Sequence, residues 1–152
     1  MRRASSARRS RRQHCLIVRS GHPLLAYSPV QLSQLNVYDW VMQTRGTPLR
    51  RTVENMFLAK NLSVPDRLSN TSSLTLTIIL VAKSDAIAPI SVEAAKFFST
   101  QRGAAGAIEI LPTNFQIVVQ PYSLIKVRNR AMSPAAQSVY DFVRNEAVAR
   151  GA

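Results

Sequence analysis

The sequence predicts an α/β fold with a mostly parallel sheet covered on both faces, and two observations lead to it. From residue 15 to residue 99, short β-branched runs alternate with stretches of helical period, which is the pattern of βαβ units. The chain has 152 residues and is 46% hydrophobic, long enough for one domain with a real core and too short for two complete ones.

The elements follow in order. "CLIVR" (15–19) reads as a strand, and "GHPLLAYSPVQLSQL" as a loop and short helix with Val30, Leu32 and Leu35 apolar. "YDWVMQT" (38–44) is again strand-like. From Thr47 to Lys60, Leu49, Val53, Met56 and Phe57 fall at i, i+4, i+7 and i+8, the stripe of an amphipathic helix. Thr47 suits the N-cap and Pro48 the first helical position, where a missing N–H costs nothing. Arg50 and Arg51 read as surface residues. "LSNT" (68–71) is extended, and "LTLTIILVAK" forms a helix from about Ser73 to Lys83 that is apolar on nearly every side, hence buried rather than surface-lying. "AIAPI" (86–90) is a strand, Ser91 a cap, and "VEAAKFFS" the helix it starts. "AIEIL" (107–111), "FQIVV" (115–119) and "SLIKV" (123–127) are further strand candidates. Ser133 and Pro134 start a terminal helix with Ala136, Val139, Tyr140, Val143 and Ala147 on one face.

In open parallel sheets, ligands bind at the carboxyl ends of strands, where the following helices begin. Three such turns are polar here: "RGT" (45–47), "TSS" (71–73) and Ser91. Each offers a hydroxyl and the free N–H groups of a helix start, which favour an anion or a hydroxyl-bearing ligand. In "TRGTPLRR", Gly46 would let a ligand approach the backbone while Arg45 and Thr47 contact a carboxylate. The alternative is a capped helix with solvated arginines, and "NTSS" carries the same two readings.

The formal charge of +12 comes from 20 Lys and Arg against 8 Asp and Glu, yet six of the arginines lie in "MRRASSARRSRRQ" (1–13). Without that leader the balance is 14 against 8, or +6, ordinary for proteins that touch no nucleic acid. The leader reads as a disordered basic segment outside the fold. Its arginines would surround a helix rather than line one side, so it is not an amphipathic targeting helix, and "CLIV" is too short for a secretory core. No apolar run approaches the ~20 residues that span a bilayer, which excludes a membrane partner of that kind, and the expected location is cytoplasmic.

Cys15 is the only cysteine, so no internal disulfide forms. His14, Cys15 and His22 are the only soft ligands, and neighbours on a strand point to opposite faces, so they do not make a metal site. His22, before Pro23, reads as a turn residue. There is no nucleophile elbow and no glycine-rich phosphate loop, and the acids are scattered singly. The expectation is no catalytic residue, no metal, no cofactor and no DNA-contacting residue.

Taken in order and spacing, "VRSGHPL" (18–24), "VYDWVMQTRGTPLRRTVENMF" (37–57), "NTSSLTLTIILVAKSDAIAPISVEAA" (70–95), "IEILP" (108–112) and "MSPAAQSVYDFVR" (132–144) resemble the C-terminal half of LysR-type transcriptional regulators. The resemblance is nearest to the branch of galactose-binding-protein and protocatechuate-pathway regulators and covers about residues 14 to 150.

The resemblance implies a two-lobed effector domain like that of type 2 periplasmic binding proteins. Residues 14–19 then correspond to the first crossover strand, 20–106 to a complete second lobe, 107–111 to the return crossover and 112–150 to part of the first lobe. The family's helix-turn-helix, linker helix and opening half of the first lobe have no counterpart, so the chain is expected to be a truncated regulator. "FQIVV", "SLIKV" and the terminal helix would then have partly uncovered apolar faces.

The effector site implied by the resemblance draws on Arg45, Gly46, Thr47, Thr71 and Ser72. The expected ligand is a small organic effector, an aromatic acid, sugar or sugar acid. The family commonly has an acid where Asn70 stands and an arginine near "QPYSLIKV", and this chain departs from both patterns. The family further implies homo- or hetero-oligomers through effector domains, and DNA contact only through the N-terminal domain of a full-length regulator. Two other readings stay open: a stand-alone interaction protein that pairs with full-length regulators, and a nucleic-acid binder acting through residues 1–13.

Overall fold

A computed structural model describes residues 12–100, 106–120, 124, 126 and 131–149. Gln13–Val119 form one compact unit, and the described residues beyond Val119 belong to a second.

The first unit is built on β1 (Arg12–Arg19), β2 (Trp40–Met42), β3 (Leu68–Asn70), β4 (Ala88–Ser91), β5 (Ile108–Ile110) and β6 (Ile117–Val119), with α1 (Pro48–Leu58), α2 (Leu74–Ala82) and α3 (Val92–Thr100) between them. β1 takes in Arg12 and Gln13, the last two residues of the basic leader. Short 3₁₀ turns at Pro23–Ala26 and Leu32–Leu35 occupy the segment after β1.

The sheet is mixed, not mostly parallel. β2 and β3 are parallel, pairing Trp40 with Leu68 and Met42 with Asn70. Backbone bonds from Val41 N–H to Ile87 O and from Ile87 N–H to Asp39 O, both 2.9 Å, join β2 to the lead-in of β4, a parallel bridge. β1, however, pairs antiparallel with β4, Cys15 opposite Ile90, and antiparallel with β5, Val18 opposite Glu109. Strand direction depends on the path of the connections. The segment leaving β1 holds two single turns rather than the crossover helix that usually returns a chain to a parallel neighbour.

Alternation along these strands fills two cores. Leu16, Val18, Trp40, Met42 and Ile87 enter one with Leu49, Val53 and Phe57 of α1. Ile17, Val41, Ala88 and Ile90 enter the other with Ile78 and Val81 of α2 and Ala95 of α3. Helices thus cover both faces, as expected from apolar residues at successive strand positions. Trp40 Nε1 donates to Leu35 O at 3.2 Å and its ring meets Phe57 edge-on at 5.8 Å. His22 is buried and ties its turn in place: Nδ1 accepts from Leu24 N–H, so Nε2 carries the proton and donates to Asp85 O, both at 3.1 Å.

Two expectations about burial change. α2 buries only Thr77, Ile78 and Val81, while Leu74, Leu76 and Ile79 are 40–52% exposed; one side of a helix rests on a sheet, and its composition does not say what lies on the other. "FQIVV" is not uncovered: Ile117 and Val119 are buried in the first core, because β6 pairs with β1 and packs on α1.

In the second unit, α4 (Pro134–Ala149) begins where Ser133 Oγ accepts from Ala136 N–H at 3.3 Å. It buries no residue, and Val139, Phe142 and Val148 are about two-thirds exposed. Lys126 lies over the Tyr140 ring at 5.9 Å. The strand expected at "SLIKV" falls mostly outside the described residues. No helix of the described residues is long and apolar enough to cross a membrane.

Candidate functional site

Because β2 and β3 are adjacent and parallel, their carboxyl ends lie side by side. Thr71 N–H donates to Met42 O at 2.9 Å, so the turn before α1, with Arg45, Gly46 and Thr47, stands beside the turn before α2, with Thr71 and Ser72. The pairing brings the two sequence-predicted groups to one edge. Ser91, the third polar turn, caps α3 instead: its Oγ accepts from Ala94 N–H at 3.2 Å.

The turn before α1 is shaped by Gly46, whose φ of +88° lies where a side chain is strained although no atom comes within 4 Å of a Cβ built there. Thr47 stands at the N-cap position, but its hydroxyl does not cap. It donates to Thr44 O at 3.0 Å, which corrects the expected capping role. The first helical bond of α1 runs from Arg51 N–H to Thr47 O, so the amides of Leu49 and Arg50 precede it. Arg45 is exposed and has no ion-pair partner among the described residues.

The turn before α2 is capped. Ser73 Oγ accepts from Leu76 N–H at 3.3 Å, and Thr71 Oγ1 accepts from Ser73 N–H at 3.1 Å, leaving the Thr71 hydroxyl hydrogen free to donate. The amides of Leu74 and Thr75 precede the first helical bond, from Thr77 N–H to Ser73 O. Ser72 is exposed.

Beneath the two turns lies Arg50, 2% exposed, where a solvated arginine was expected. Its Nε donates to Glu54 Oε1 at 2.7 Å, and its Nη1 to Gln43 O at 3.2 Å and to Asn70 Oδ1 at 2.5 Å. One guanidinium therefore joins the end of β2, the end of β3 and the flank of α1. The signal was present in the sequence: Arg50 lies three residues before Val53 and seven before Phe57, on the buried stripe, with Glu54 at i+4 to hold its charge.

The edge is rich in donors. Helix-start amides, the Thr71 and Ser72 hydroxyls, the Asn70 amide and Arg45 surround it, and the carboxylate of Glu54 is engaged by Arg50. Such a set suits an acceptor-rich ligand.

Cys15 stands apart from this edge, in a cleft of about 100 Å³ lined with Val92, Phe115, Gln116 and Ile117 among others. Burial, reinforced by the carboxylate of Glu93, pushes its thiol up to about 11. Among the described residues no group of three or more His, Cys, Asp or Glu side chains could hold a metal ion.

Comparison with known proteins matches residues 6–148 to a family model described as the LysR substrate binding domain. A curated relative, the HTH-type transcriptional regulator GbpR of Rhizobium radiobacter, is 47% identical over 88 residues, 58% of this chain and 29% of that protein. The matched stretch thus spans less than a third of that relative's length. Among solved structures, the regulatory domain of CcmR from Synechocystis PCC6803, in complex with 2-PG, superposes with a TM-score of 0.69 at 20% identity, covering 96% of this chain and 70% of that one. The effector binding domain of QuiR, in complex with shikimate, has a TM-score of 0.61 at 18% identity, covering 93% and 62%. These similarities show the effector-domain fold.

Proposed function

The chain belongs to the LysR substrate binding domain family, and on that premise we propose that it binds a small organic effector at the carboxyl edge of β2 and β3, without turning it over. Arg45, Gly46, Thr47, Thr71 and Ser72 form the contact set. The observation that carries the reading is the adjacency of the two turns, stated by the bond from Thr71 N–H to Met42 O.

Each residue has a role that its chemistry suits. Gly46 keeps the backbone open to a ligand, Thr47 presents the lone pairs its own donated bond leaves free, Thr71 and Ser72 donate hydroxyl hydrogens, and Arg45 supplies a mobile positive charge. Among aromatic acids, sugars and sugar acids, the donor-rich edge favours the acids. The neighbours bound to 2-PG and to shikimate support a small organic ligand of this size.

As part of a regulator, the domain would work in the cytoplasm, self-associate or pair with other regulators through effector domains, and act on DNA through a helix-turn-helix elsewhere in the regulator. Ligand-induced stabilisation is the direct test, since a ligand at 100 times its Kd adds about 2.7 kcal/mol. Benzoate, gluconate and galactose should be compared for their effect on thermal unfolding. At least one should raise the midpoint by several degrees, and Thr47→Ala with Ser72→Ala should remove that rise. No rise with any of the three, or a rise the double substitution leaves intact, overturns the assignment.

A further inference from the structure

We infer that Asn70 selects the charge class of the ligand at this edge, because the buried Arg50 holds its amide with the nitrogen facing outward. The inference rests on the site proposed above and adds to it a residue outside the contact set.

An asparagine amide carries an acceptor at one end and two donors at the other, and which end faces a ligand is decided by what the other end binds. Here Arg50 Nη1 donates to Asn70 Oδ1. A guanidinium has donors only, so the amide cannot be flipped without setting donor against donor. Asn70 is exposed and ends β3 opposite Met42, so its Nδ2 hydrogens stand at the strand's carboxyl edge, beside Thr71. Among the described residues nothing accepts from them.

Charge points the same way. Arg50 is balanced by Glu54 at 2.7 Å, so the pair beneath the edge is neutral and Asn70 adds donors without adding charge. An aspartate at this position would keep the bond from Arg50, replace the outward donors with an acceptor and add a negative charge that offsets Arg45 at the edge. The edge as built therefore takes a carboxylate or similarly acceptor-rich anion, and a single isosteric change turns it against one.

The test is side-chain amide and backbone NMR of the full ¹⁵N-labelled chain titrated with benzoate, gluconate and galactose. The expected result is that an acid moves the Asn70 Nδ2 protons together with the Thr47 and Thr71 amides. Asn70→Asp should weaken that acid by about tenfold or more, the scale of one charge-assisted bond exchanged for repulsion, and change galactose by a smaller factor. Asn70→Ser, whose hydroxyl can accept from Arg50 and still donate outward, should keep most of the affinity. If Asn70→Asp does not fold, the wild-type Nδ2 shift and the serine variant decide.

An acid that moves the Thr47 and Thr71 amides but leaves Nδ2 still, or that binds Asn70→Asp as well as wild type, overturns the role of Asn70 and leaves the site standing. Binding of galactose alone at those amides does the same. If no probe moves the Thr47 and Thr71 amides, the site itself falls and this inference with it.

Discussion

Arg50 shows how one residue can join three elements. A buried guanidinium must have its donors met, and it meets them on a helix carboxylate, a strand-end carbonyl and a neighbouring strand's amide. Arg50→Met fills similar volume but leaves Glu54 and Gln43 O to find water, which they can do only in part. The expected loss is about 2 kcal/mol, read from urea unfolding, and a loss below about 0.5 kcal/mol would show that the three bonds are not holding the turns.

Cys15 yields a prediction of the opposite kind. A thiol raised from 9.0 to about 11 by burial stays protonated at neutral pH, and only the thiolate attacks disulfide reagents. Modification by a thiol-exchange reagent should be slow at pH 8 in the folded protein and fast after unfolding. Because the folded state holds its proton more tightly than the unfolded one, this group's contribution to stability is present below pH 9 and is lost as pH rises from about 9 towards 11. Rapid labelling of the native protein at pH 8 would contradict the burial.

At the scale of elements, α2 separates local from tertiary control. Its start is local: Ser73 caps Leu76 N–H, and Ser73→Ala should cost about 1 kcal/mol. Its exposed face is not local. Leu76 is 44% exposed, so Leu76→Gln should change stability by less than about 0.5 kcal/mol, whereas Val81→Ala, at a fully buried position, should cost about 2 kcal/mol. Chemical unfolding of the three variants gives the order directly. A large loss at Leu76 would show that the face is covered in solution.

For the whole molecule, the contrast is between a unit with two filled cores and a helix with none. Gln13–Val119 contain every buried side chain of the described residues, and α4 contains none. Opening a helix that buries nothing costs little, so limited proteolysis should cut within 134–149 well before 37–99. Equal resistance would mean that α4 is covered by something in solution.

Much of this architecture was legible in the chain. β-branched runs marked β1, β2 and β4, the 3.6-residue stripe marked α1, and polar turns followed by apolar helices marked the edge at 45–47 and 71–73, because these signals lie within a few residues of one another. For Arg50 the stripe of α1 pointed to burial and the charge to solvent, and the stripe was the better guide; for α2 the apolar composition did not show that one face is exposed. The α/β class, the helix starts and the candidate turns were set locally, since propensity, capping and periodicity act over one or two turns of chain. Long-range packing set that β1 runs against β4 and β5, that Arg50 reaches Asn70, and that Asn70 is held with its nitrogen outward. Each of those depends on residues 20 or more positions apart meeting in space, and chain path and packing, rather than local preference, set which of them meet.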